Sequence, residues 1–299
     1  MKRILAIYVL LAAFASSVLA HSFFISVTEA MAHKPGGVTA SIGYGHAMPM
    51  DDFYMGSLLQ SYEIYDPDMK KANLGFDPKA NEGIEQRYAK EASKEFPSAT
   101  IFEGDSFTRK IKFGNDSKVG TYQIAATTKR AHFSLWKDNK GRIKMGRVYL
   151  DEIKDAKEVI YSSNSQSFAK SFVKVGKWSE PAPLGHDLEI IPISDLSNVK
   201  VGDVVEFKVL FKGEPLNEMQ DMNRKELRGY NSFFGDDSTY FVAGLVMNGK
   251  AKFRVVAPGQ WLASISMQKP VDEKIAKDLI GKVRTIGYSA TVTFFVHER

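Results

Sequence analysis

The chain of 299 residues contains no cysteine. No disulfide can staple it, no lipidated cysteine can anchor it, and a zinc site built from thiolates is excluded. Any metal it binds must be held by imidazole, carboxylate, thioether, phenol, backbone groups or the terminal amine. Long apolar runs are also missing. The longest, Ile4 to Phe14, is far shorter than the roughly 20 apolar residues that a spanning helix needs, so no membrane-spanning helix is expected. There is no Gly-x-Ser-x-Gly elbow, no His-Glu-x-x-His and no phosphate-cradling glycine loop. These absences argue against a hydrolase, and the chain reads as a non-enzyme. It also has no basic block and no aromatic-basic interleaving, so nucleic acid is not expected as a partner.

The first twenty residues have the form of a leader. Lys2-Arg3 make a positive start, Ile4 to Phe14 an apolar segment, and Ala15-Ser16-Ser17-Val18-Leu19-Ala20 a small-residue cleavage site. Cleavage after Ala20 is expected to deliver the protein to the periplasm with a formal charge lowered from +5 to +3, two of its 40 basic residues being lost. It also makes His21 the first residue. A terminal histidine can hold a metal through its α-amine and its imidazole together, since both nitrogens can be deprotonated by a divalent metal near neutral pH.

The remaining chain reads as β structure. Aromatic content is 12%, glycines number 23, and short alternating runs recur between turn signals. Phe23 to Thr28, Val38 to Tyr44, Phe107 to Phe113, Gly120 to Trp136 and Phe168 to Val175 are expected strands, with helix over Asp151 to Ser162 and a helix or long excursion over Pro78 to Glu95. A second unit follows, with strands over Asp187 to Ile193, Val204 to Phe211, Ala251 to Val256, Trp261 to Met267 and Ser289 to Val296. Asn248-Gly249 is a hairpin turn and Asp272 to Ile280 a helical insertion. The expected architecture is an antiparallel β-sandwich fold: a leader over 1–20, an N-terminal β-rich domain over 21–185, and an immunoglobulin-like sandwich over 186–299.

Among the six histidines, His46 stands at a strand end in Gly45-His46-Ala47-Met48-Pro49-Met50-Asp51-Asp52, where a side chain can protrude from a sheet edge. The same segment offers thioethers, which suit soft ions, and carboxylates, which suit harder ones. A loop with a capping Asp and gap-filling methionines is the plain alternative. His186 shares strand parity with Leu188 and Ile190, which favours a buried, hydrogen-bonded ring over a ligand. His132 reads as structural, and His33 and His297 as solvated. The candidate metal set is His21, His46, His186, Asp51 and Met48. Tyr230, Phe233, Phe234, Tyr240 and Phe241 suit core packing better than a sugar platform.

Several segments resemble one exported family in order along the chain. They are Ala20-His21-Ser22-Phe23-Phe24, the Gly45-His46 pair, Phe168-Ala169-Lys170-Ser171-Phe172, and Pro183 to Pro192. Then come Leu210 to Leu216, Pro258-Gly259-Gln260-Trp261-Leu262 and Tyr288 to Phe294. The chain is similar to the DUF4198 family, whose members are described as periplasmic components of nickel or cobalt uptake systems. That resemblance implies a divalent transition metal, nickel or cobalt, and a membrane metal transporter as partner. A copper-binding protein with the same terminal histidine is the alternative reading. A third is a non-catalytic sandwich module that binds glycans or proteins.

Overall fold

The alternating runs form strands as their period of two requires. The computed structural model describes residues 21–28, 31–32, 34–77, 79, 86–216, 232–236 and 241–299. The expected leader, His33, Tyr230 and Tyr240 lie outside the described residues, as do the side chains of Phe233, Phe234 and Phe241. The longer strands are β1 (Ser22–Thr28), β2 (Gly36–Gly45), β3 (Leu59–Tyr65), β4 (Arg109–Phe113), β5 (Gly120–Thr128), β6 (Ala131–Asp138) and β7 (Ala156–Val175). They continue as β8 (Leu188–Pro192), β9 (Val204–Phe211), β10 (Ser232–Asp236), β11 (Lys250–Arg254), β12 (Gly259–Pro270) and β13 (Thr285–His297).

One large sheet runs through both halves of the chain in the order β10, β12, β13, β7, β5, β3. Its long member is β7, a strand of 20 residues. Along one edge β7 pairs in parallel with β13, from Ser163↔Thr285 to Ser171↔Thr293. Along the other edge its first half pairs with β6 and its last four residues with β5, both antiparallel.

Two smaller sheets lie on opposite faces of this large one. Phe168 and Phe172 of β7 belong to one hydrophobic core, whereas Ala169 and Val173 belong to the other. Neighbouring residues of a strand point to opposite faces, so the two cores flank the sheet. The first core along the chain, that of Ala169 and Val173, packs β1, β2 and β4 on the sheet through Phe23, Ile25, Val38, Ala40 and Ile42. The second packs β8, β9 and β11 through Leu188, Ile190, Val205, Phe207 and Val209. The fully buried Trp261 anchors the second core, its indole N–H donating to the Ala257 carbonyl at 2.9 Å.

The protein is thus mainly β, with facing sheets. One core is built from residues before 186 and the other from residues after it, save Phe168, Phe172 and the half-buried Trp178 packed beside them, and the large sheet runs through both parts.

Two local expectations are corrected. The helix expected over Asp151 to Ser162 is a single 3-10 turn, Leu150–Glu152, followed by the start of β7. Its Glu152, Asp155 and Glu158 have helical spacing, but the β-branched and aromatic run Val159-Ile160-Tyr161 favours a strand once β6 supplies a partner. The insertion at Asp272 to Ile280 is turns plus the 3-10 segment Lys277–Leu279. The Asn248-Gly249 turn is as expected, both residues having positive φ (51° and 69°) as a type I′ hairpin turn requires.

Across the second core, the buried Lys170 of β7 donates to Glu189 Oε1 of β8 at 2.8 Å. The Glu189 carboxylate also accepts the backbone N–H of Leu184 at 2.6 Å and of Gly185 at 3.1 Å. Burial opposes its ionisation, but the Lys170 charge and these donors hold the carboxyl below its ordinary pKa.

Candidate metal centre

The pairing of β1 with β2 brings the first described residue to His46. Their antiparallel register runs from Thr28↔Thr39 to Ser22↔Gly45. One further step sets His21 opposite His46, and the two imidazole centroids lie 4.0 Å apart with the rings tilted 54°. Beneath them is an aromatic support. His21 stacks on Tyr44 at 5.1 Å, Tyr44 meets Tyr54 edge-on at 5.2 Å, and Tyr54 packs on Phe23 at 4.6 Å. Both histidines remain exposed.

The loop after His46 folds back so that Asp52 N–H donates to the Tyr44 carbonyl at 3.2 Å. This return puts two carboxylates beside the two rings. Asp51 Oδ1 accepts the backbone N–H of His46 at 2.6 Å and of Ala47 at 3.3 Å, while its Oδ2 lies 3.3 Å from His46 Nδ1. Desolvation is the largest single effect on the Asp51 carboxyl and raises its pKa, but the His46 and Ala47 contacts together outweigh it and hold the carboxyl below its ordinary value. Asp52 Oδ2 lies 3.8 Å from His21 Nε2. Burial raises the Tyr44 phenol and the Asp52 charge adds to it, against an opposing effect of Arg147.

Gly45 makes the return possible. It has φ of +119°, and a Cβ there would fall 1.7 Å from Asp51 Oδ1. Only glycine combines that backbone with that approach.

His21, His46 and Asp51 therefore come together, and Met48 lies half-buried in the same loop. His186 does not join them. Its ring stacks on Phe168 at 5.0 Å, on the face of the large sheet opposite β1. The hydrogen bond expected for its ring is also missing at one position, since the buried Nδ1 has no partner. Burial and the Lys170 charge push the imidazole down to about 4, against the attraction of Glu189, Glu63 and Asp187. His132 is structural as expected: Nε2 lies 2.8 Å from the Arg147 carbonyl and the ring stacks on Tyr149 at 3.8 Å.

Tyr44 is the site residue that the sequence reading passed over; Asp52 is read there as a carboxylate for harder ions but not placed in the candidate set. The parity of Tyr44 with His46 was an available signal for the first. Among the described residues, no group of three or more His, Asp or Glu side chains is disposed as a metal cage. What the arrangement offers instead is two exposed imidazoles 4.0 Å apart, nitrogen donors of the kind that suit divalent nickel or copper.

A family model described as a domain of unknown function, DUF4198, matches residues 18–269. No curated protein matches the chain. Among solved structures, murine CEACAM1b aligns at 10% identity over 93% of this chain and 100% of that one, with a TM-score of 0.18. The fibronectin(III)-like modules of Clostridium thermocellum CbhA align at 10% identity over 92% of this chain and 95% of that one, with a TM-score of 0.17.

Proposed function

The chain belongs to the DUF4198 family, and we propose that it is an exported, periplasmic protein that captures a divalent transition metal, nickel or cobalt, for a membrane metal transporter. The donors are the His21 α-amine, the His21 imidazole and the His46 imidazole. The observation that carries this reading is the 4.0 Å approach of two exposed imidazoles at the point where a cleaved leader would free an amine. Delivery requires a site that a partner can reach, and a site on an exposed sheet edge meets that requirement. The role is capture and hand-over rather than catalysis.

The test is calorimetric titration of Ni(II), Co(II) and Cu(II) into protein recovered from the exported fraction, its first residue verified by intact mass. One-to-one binding that is lost in both His21→Ala and His46→Ala is the expected result. A chain that begins at His21 and binds none of the three at micromolar concentration would overturn the reading.

Copper is the second reading. It is favoured by the all-nitrogen donors, because affinity for such a set rises through the divalent series to a maximum at copper. The same titration separates the two by order of affinity and, for copper, by any peroxide-dependent chemistry.

A further inference from the structure

We infer that Asp51 is a positioning residue that selects which nitrogen His46 presents, namely Nε2. The inference rests on the metal-capture reading for its consequence, though not for its geometry.

A neutral imidazole carries one N–H, and the nitrogen facing a carboxylate is the one that keeps the proton. At His46 that nitrogen is Nδ1, which lies 3.3 Å from Asp51 Oδ2. The carboxylate cannot swing away easily, because its other oxygen is held by the His46 and Ala47 backbone N–H groups. It fits only because Gly45 leaves the space. The lone pair of His46 is therefore on Nε2, turned away from Asp51.

At His21 the choice is set by chelation instead. Nδ1 is the ring nitrogen that can close a six-membered chelate with the residue's own α-amine; Nε2 lies too far round the ring. Asp52 Oδ2, 3.8 Å from that Nε2, is beyond hydrogen-bond distance and takes no part in the choice.

Selectivity follows. With the Asp51 carboxylate engaged on His46 Nδ1 and on two backbone N–H groups, the donors of the capture reading are all nitrogen. The site then prefers nickel, cobalt or copper over calcium, magnesium or manganese, which need oxygen. An orienting carboxylate behind a ligating histidine is worth about 10–100-fold in metal affinity.

The test compares the wild-type chain with Asp51→Asn, and with His46→Ala as the control for loss of the ligand. Long-range proton–nitrogen NMR of the metal-free protein above pH 8 reads the His46 tautomer directly. The wild-type protein is expected to show His46 protonated at Nδ1. In Asp51→Asn the amide group offers a donor where the carboxylate accepted, so His46 switches to the Nε2–H form and Ni(II) affinity falls about 10–100-fold. A wild-type His46 found protonated at Nε2 would overturn the inference. So would an Asp51→Asn protein that keeps both the wild-type tautomer and the wild-type affinity. If the tautomer is as stated but the wild-type chain binds no metal, the positioning stands and only the capture reading falls.

Discussion

Thr291 donates through Oγ1 to the carbonyl of Phe23 at 2.7 Å, tying the strand that begins the described chain to the strand that ends it. Thr293 repeats the contact with the Ile25 carbonyl one step along. Both hydroxyls are buried, so β1 is held on the large sheet by side-chain donors as well as by its apolar face. Replacing Thr291 by valine keeps the shape and removes the donor. The expected cost is about 1–3 kcal/mol, read from the urea midpoint. On the metal-capture reading, Ni(II) affinity measured by calorimetry is expected to fall as well, because β1 carries the residue next to His21. An unchanged midpoint would mean that β1 needs no such tie.

Gly45→Ala attacks the site through the backbone. The new methyl would occupy the place of Asp51 Oδ1, and φ of +119° strains any L side chain. Stability is expected to fall by about 1–3 kcal/mol. The His46 tautomer is expected to change as it does in Asp51→Asn, because the carboxylate is displaced. NMR of the His46 ring in this variant checks the point, and a wild-type spectrum would contradict it.

Lys170→Met leaves Glu189 buried without its counter-charge, although the two backbone donors remain. The expected loss is about 3–5 kcal/mol in denaturant unfolding. The double variant Lys170→Met/Glu189→Leu removes both charges and is expected to recover part of that loss. A double variant less stable than the single one would show that Glu189 acts mainly through Leu184 and Gly185.

His186 predicts a pH dependence. Its imidazole is pushed down to about 4 in the folded protein, whereas the unfolded value is about 6.5. Between those values the unfolded chain binds the additional proton, so stability rises with pH across that window. The His186 contribution is complete above about pH 6.5 and is lost as pH falls towards 4, by an amount on the order of 1–3 kcal/mol. His186→Phe keeps the stack on Phe168 without a titrating ring. Its urea midpoints between pH 7 and 4.5 should fall less steeply than those of wild type, and parallel profiles would refute the prediction.

The strands were legible because alternation is written in each segment. Val204 to Phe211 and the Asn248-Gly249 turn appear as read. Segments whose pattern admits two periods were not. Asp151 to Ser162 shows helical carboxylate spacing beside a β-branched run, and only the pairing of β6 with β7 decides between them. At the candidate site, the small-residue stretch before His21 pointed to that residue and the strand end to His46, and only the pairing of β1 with β2 sets the two side by side. Nothing local to His186 shows that its ring stacks on Phe168 across the sheet from β1.

The sequence by itself determined that the protein is built of strands, that thiolate metal chemistry is excluded, and which histidines were available. Period-two alternation and residue type are local properties, and a chain carries them wherever it folds. The tertiary structure decided the rest. Register is set by which apolar faces are buried against distant strands, and a slip of one residue would turn the set to the other face. The register Ser22↔Gly45 therefore brings His21 to His46, and the return of Asp52 to Tyr44 brings the two carboxylates to their rings. The alternation of β7 sends His186, against Phe168, to the opposite side.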